Sequence, residues 1–316
     1  MENTFTQPIP KKKKWNASKR KEFIFLFCML ILPVCQWLLY FVYLNANSFV
    51  LAFSQKRTGK FPVLDNFSKV WESISTDDGE LAIAISNTLK YFFTDFLIIM
   101  PLCLFSAYFF YKKIAGYKVY RVLFYLPSII SSMVMVETFK SFVDPRGPLA
   151  DILETIFHFT IAPEGLFSHP DTATNTILIY CIWTGFGTKM LYFGGAMARI
   201  PIEVLESAKL EGCGPFRELF QLIFPLIWAT TSTQIILLFT GLINSGGPIL
   251  LFTQGASQTT TLNYWIFSHV YSTSAGSSTT NNLEIVSCMG LCFTLIMVPL
   301  ILFIRWLMDK IPAVEY

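Results

Sequence analysis

Apolar runs of about 20 residues, each long enough to cross the hydrocarbon core of a bilayer as a helix, recur along this chain between polar and charged stretches. The pattern predicts spans near residues 23–44, 90–111, 122–142, 174–197, 218–243 and 284–308. The expected fold class is therefore all-α, a polytopic membrane protein with about six transmembrane helices. Between the first two spans, Asn45–Leu89 is polar and of mixed charge, with short helices expected around Leu64–Ile74. Pro33, Pro101, Pro127, Pro225 and Pro299 fall inside spans, where they mark kinks that neighbouring helices must accommodate. Gly185, Gly187, Gly194 and Gly195 in the fourth span would permit close helix approach.

Composition agrees with this pattern. Hydrophobic residues make up 53% of the chain and charged ones only 14%, well below the roughly 25% of a soluble domain. Six of the seven cysteines lie within apolar runs and suit the role of small hydrophobes. Cys288 and Cys292 are one helical turn apart, but two thiols alone do not close a zinc site. The first span follows Lys11–Lys14 and Lys19-Arg20-Lys21, yet it is too long for a secretory signal and no A-x-A site follows. Leu32-Pro33-Val34-Cys35 approaches a lipoprotein box, but Val34 is not small, so a retained signal anchor is expected.

Charge sets the orientation. With the N-terminus inside, sixteen of the 24 Lys and Arg fall on the cytoplasmic side, which the positive-inside rule favours. Both termini and the 199–217 segment are then cytoplasmic. The expected organisation is a basic cytoplasmic tail (1–22), a first helix with its outer segment (23–84) and a membrane core (85–316).

Ionisable groups within spans are functional candidates. Lys189 is one, and with Trp183, Gln234 and Asn244 it is a candidate for lining a polar substrate path. Asp95 is the one carboxylate expected well inside a span. At about 1.5 Å of rise per residue, Glu137 and Lys189 differ in depth by roughly 12 Å, too far for a direct bond. Glu137 and Lys140 instead share a helix face. The last outer loop, Asn244–Leu283, has no Lys, Arg, Asp or Glu but carries Tyr264, Trp265, Phe267 and Tyr271, a surface suited to neutral polyhydroxylated ligands or to protein docking. Thr58-Gly59-Lys60 lacks the upstream glycine and following hydroxyl of a P-loop, so no nucleotide site of that kind exists. Neither H-E-x-x-H nor G-x-S-x-G occurs, and His158, His169 and His269 lie in expected outer loops. No catalytic residue, metal ligand or nucleic-acid partner is expected.

One charged island, Ile200–Pro225, separates the fourth and fifth spans. Pro201 suits a helix start, Glu203 and Glu206 occupy the early turns, and Gly212 can adopt the left-handed conformation that ends a helix. A short surface helix at 201–212, a turn, and a restart at Gly214-Pro215 are predicted. Glu206-Ser207-Ala208, Gly212 and Leu222-x-Phe224-Pro225 resemble the EAA signature of ABC-importer permeases in every spacing. Ser207 replaces the usual alanine and Leu222 the usual isoleucine; Glu211 and Cys213 stand where carbohydrate permeases often have Asp and Ala. Gly241–Pro248 and Tyr120-Arg121…Leu126-Pro127-Ser128 are similar to segments of the carbohydrate-uptake (maltose-type) group.

The resemblance implies a type I ABC importer permease with no ATPase site of its own, in a bacterial cell membrane. Its implied partners are a second permease subunit, two cytoplasmic ATPases carrying ATP and Mg, and an extracellular solute-binding protein. Glu206, Ser207, Ala208, Gly212 and Pro225 would form the ATPase-coupling element, and a sugar or oligosaccharide would be carried. A non-sugar solute such as an organophosphate or polyamine stays open, as does an ion-coupled secondary transporter.

Overall fold

A computed structural model describes residues 17–54, 64–76, 79–157, 163–271 and 280–311. The basic residues 11–14, Thr58-Gly59-Lys60, His158 and part of the expected last loop (272–279) lie outside these. The described residues form helices, turns and loops, with no strand among them. In order, the helices are α1 (Arg20–Ala52), α2 (Asp65–Thr76), α3 (Glu80–Tyr111), α4 (Tyr117–Ile129) and α5 (Ser132–Val143). Next come α6 (Pro148–Phe157), α7 (Pro170–Thr184), α8 (Phe186–Met197), α9 (Ile202–Leu210) and α10 (Pro215–Leu226). The chain continues through α11 (Trp228–Thr240), α12 (Ile249–Phe252), α13 (Leu262–Tyr271) and α14 (Thr280–Asp309).

The six expected apolar stretches fall on three unbroken helices, α1, α3 and α14, and three interrupted ones. The third stretch breaks between α4 and α5, where Ile130 and Ser131 take extended ψ angles of 145° and 134° just beyond Pro127. The fourth divides at Gly185 into α7 and α8, of 15 and 12 residues. The fifth bends by 75° between α10 and α11, two residues after Pro225.

Proline shapes α3 and α10 in one further way. Each contains a π-helical segment, Asp95–Ile99 and Glu218–Ile223, ending two residues before Pro101 and Pro225 respectively. A proline ring collides with the carbonyl four residues back, here Leu97 and Gln221, and the wider π turn relieves that crowding.

Helix α3 threads all three buried clusters and organises the bundle. Its start, Leu81 and Ala84, packs with the end of α1 (Ala52), α2 (Val70), α13 (Trp265) and α14 (Cys288, Met289). Tyr91 joins Met135 and Phe139 of α5, Ile177 of α7 and Phe252 of α12. Its second half, Ile99 to Tyr108, packs with Met190, Phe193 and Met197 of α8, Leu205 of α9 and Leu219 of α10. Helix α3 begins ten residues before the expected start, because its first two turns are held by burial against α13 and α14, which hydropathy does not register.

Three other expectations are corrected. Helix α1 runs past Leu44 to Ala52, whose carbonyl accepts from the Asn66 side chain at 3.0 Å; the rest of α1 is an exposed apolar rod suited to lipid. The described part of the last loop is folded onto α3. Leu262, Trp265 and Ile266 sit one turn apart and turn inward, and Asn87 donates to the carbonyls of Gln258 and Thr260 at 2.7 and 3.0 Å. Trp265 is thus a core residue unavailable to ligand. Finally, Gly187 lies against Ser128 and Gly185 against Ile99, as close packing requires, but Gly194 and Gly195 face open space. The helix expected around Leu64–Ile74 is α2, and Glu137 pairs with Lys140 at 3.1 Å.

Candidate functional site

Two regions concentrate polar chemistry: the short helix α9 with its flanking turns, and a cavity in the bundle wall.

Helix α9 is closed by a Schellman turn. Gly212 has φ +73°, its N–H donates to the Lys209 carbonyl, and the Cys213 N–H donates to the Ala208 carbonyl, both at 3.0 Å. The four-residue spacing from Ala208 to Gly212 is thus what the turn demands, with glycine at the left-handed position. Pro201 precedes the helix as its N-cap residue, and Ser207 donates back to the Glu203 carbonyl at 2.8 Å. Beyond the turn, Gly214 caps α10 and Pro215 occupies its first turn.

One face of α9 is anchored through buried Leu205 and the preceding Ile200. The opposite face carries Glu206 and Ser207, exposed, beside Leu210 at 89% exposure; Phe216, just past the turn, is 71% exposed. Exposed apolar side chains around an exposed carboxylate describe a contact surface. Ala208 is half-buried, and Pro225 lies seventeen residues further on, inside α10, just after the π segment.

The π segment opens on Glu218, only 3% exposed. Lys112 Nζ, at the end of α3, lies 2.6 and 2.7 Å from its two carboxylate oxygens. Beside it the Tyr108 hydroxyl donates to the Pro215 carbonyl at 3.1 Å. These bonds clamp the exit of α9 to α3. Neither Lys112 nor Glu218 stood out in the sequence, since each sits at an expected span boundary where charges are ordinary.

The cavity encloses about 720 Å³ and is bounded by α3, the α4–α5 break, α7, α8, α11 and the Gly241–Pro248 segment. That volume is within the range of about 300–1,000 Å³ usual for small-molecule sites. Lys189, Gln234 and Asn244 line it; Trp183 does not, its ring lying beside Phe139 and Tyr180 on an exposed part of α7. Lys189 donates to Asp95, the first residue of the π segment in α3. The Tyr91 hydroxyl, buried at the cavity wall, has no hydrogen-bond partner among the described residues. Gly247 is pressed so closely to Ile177 and Cys181 that a Cβ would lie 2.6 and 3.1 Å from their side chains. The Gly-Gly-Pro segment is therefore part of the cavity wall.

Residues 99–312 match the family model for binding-protein-dependent transport system inner membrane components. The chain belongs to that family. It is 27% identical over 191 residues to the maltose/maltodextrin transport system permease protein MalF of Escherichia coli K12, a match covering 60% of this chain and 37% of that one. MalF of Yersinia pestis is 30% identical over 146 residues, covering 46% and 27%. The chain thus spans little more than a third of the length of the curated relatives it matches. Two crystal structures share the fold at 18% identity. One is a bacterial ABC transporter involved in the import of the acidic polysaccharide alginate, with TM-score 0.77 over 93% of this chain and 98% of that one. The other is a bacterial alginate ABC transporter in complex with alginate pentasaccharide-bound periplasmic protein, with TM-score 0.78 over 96% and 100%.

Proposed function

We propose that this chain is a permease subunit of an ATP-driven importer and forms the pathway for a sugar or oligosaccharide delivered by an external binding protein. The observation that carries this reading is α9, an exposed carboxylate-bearing helix held rigidly on the bundle by Leu205 and closed by Gly212. Two ATPases, binding ATP and Mg, would grip such helices on this chain and on a second permease subunit. A motion imposed on α9 would pass to α3 and α10 through the Lys112–Glu218 clamp, since a packed core transmits displacement. Differential contact with the two states of the ATPases would then shift the bundle between two conformations. The related MalF permeases are named for maltose and maltodextrin transport, which supports the saccharide class. An ion-coupled mechanism is disfavoured because the expected membrane carboxylate, Asp95, is engaged by Lys189.

Membrane vesicles holding this chain with its partner permease, ATPases and binding protein should accumulate saccharide only with ATP. Accumulation by this chain alone, without nucleotide or ATPase, would overturn the reading. The orientation has its own test. With the native cysteines replaced by alanine, a Lys209→Cys variant should react with an impermeant thiol reagent in inside-out vesicles and not in intact cells, as a cytoplasmic α9 requires; labelling from the outer face would reverse the topology.

A further inference from the structure

Asp95 and Lys189 are the charged side chains among the described residues lining the cavity. They come from different helices, α3 and α8, and bond directly to each other. Both are partly accessible, with side-chain exposures of 31% and 23%, so each would act on a cavity occupant if its partner were removed. The remaining polar lining is neutral and includes Thr94, Thr184, Gln234, Asn244, Ser245 and the hydroxyl of Tyr91, which has no partner among the described residues. Amides and hydroxyls of this kind exchange hydrogen bonds with sugar hydroxyls, while a carboxylate or ammonium needs an opposite charge once removed from water.

We infer that the Asp95–Lys189 pair determines charge selectivity in this cavity, cancelling its own field so that uncharged saccharides are accepted and acidic or amino saccharides are refused. The inference rests on the saccharide reading above and adds the substrate's charge class. An uncompensated unit charge about 10 Å from a charged ligand, at an effective permittivity of about 20, is worth roughly tenfold in affinity. Removing either partner should therefore redirect the cavity in opposite senses. Asp95→Asn leaves a cation and favours acidic saccharides; Lys189→Gln leaves an anion and favours amino saccharides. Exchanging the two, Asp95→Lys with Lys189→Asp, restores neutrality.

The test is saturation-transfer NMR on the assembled importer in nanodiscs, without binding protein, using maltotriose, trigalacturonate and a glucosamine trimer as probes. The wild type should bind maltotriose in preference to either charged trimer, because a ligand charge finds no net opposite charge in the cavity. Asp95→Asn should raise relative binding of trigalacturonate by roughly tenfold, Lys189→Gln should raise that of the glucosamine trimer, and the exchanged pair should return to the wild-type order. Equal binding of all three by the wild type, or single variants that leave the order unchanged, would overturn the charge assignment while leaving the saccharide reading standing. Binding of no trimer by the wild type would remove the saccharide reading and this inference together.

Discussion

Glu206→Lys should abolish uptake, by roughly hundredfold or more, while the chain still inserts and assembles in the membrane. The side chain is exposed on α9 and makes no ion pair among the described residues. Replacing it should therefore change the stability of the chain by no more than about 0.5 kcal/mol. The loss arises instead at the proposed ATPase contact, where charge reversal sets like against like. Transport assays paired with quantification of the subunits in purified membranes separate the two effects. Normal uptake by this variant would refute the coupling role of α9.

Lys112→Ala is expected to be the most destabilising single change away from the apolar core. It strips from Glu218, which is 3% exposed, the one cation paired with it among the described residues, and an uncompensated buried charge costs about 3–5 kcal/mol. Thermal unfolding of the detergent-solubilised importer should show a large drop in midpoint. Most of it should return in the double variant Lys112→Met with Glu218→Gln, because removing both charges removes the desolvation cost that one alone would suffer. If the single and double variants melt alike, the clamp is not what holds α10 to α3. The clamp also lies directly behind the turn at Gly212–Pro215. A double variant that regains stability but transports poorly would place it in the transmission of motion as well.

The two pairs share a construction. Each carboxylate opens a π segment, each segment ends two residues before a proline, and each partner lysine lies on a different helix. Helix α3 contributes to both, with Asp95 along its length and Lys112 at its end. Counting depth along helices misses the cavity pair if α3 is begun at Lys90. From its true start at Glu80, Asp95 lies about 22 Å along, and Lys189 lies about 28 Å along from Pro170. The starts of α3 and α7 line one common crevice, so these depths are comparable. The helix starts that place Asp95 and Lys189 at similar depths come from polar first turns that only burial reveals.

What the sequence determined by itself was whatever depends on near neighbours in the chain. Runs of apolar side chains specified membrane helices, and the spacing of Glu206, Ala208 and Gly212 specified a short helix ended by a left-handed glycine. The Glu137–Lys140 pair, three residues apart on one helix, followed from the same local geometry. Tertiary structure alone decided which helices carry the cavity, that Trp265 is buried against protein and Trp183 lies off the cavity while Gln234 and Asn244 face it, and that Lys189 meets Asp95. Those outcomes depend on the register of packed helices between residues as far apart as 94 and 106 positions. Such register is set by interlocking side-chain volumes across the bundle, which no local pattern of polarity encodes.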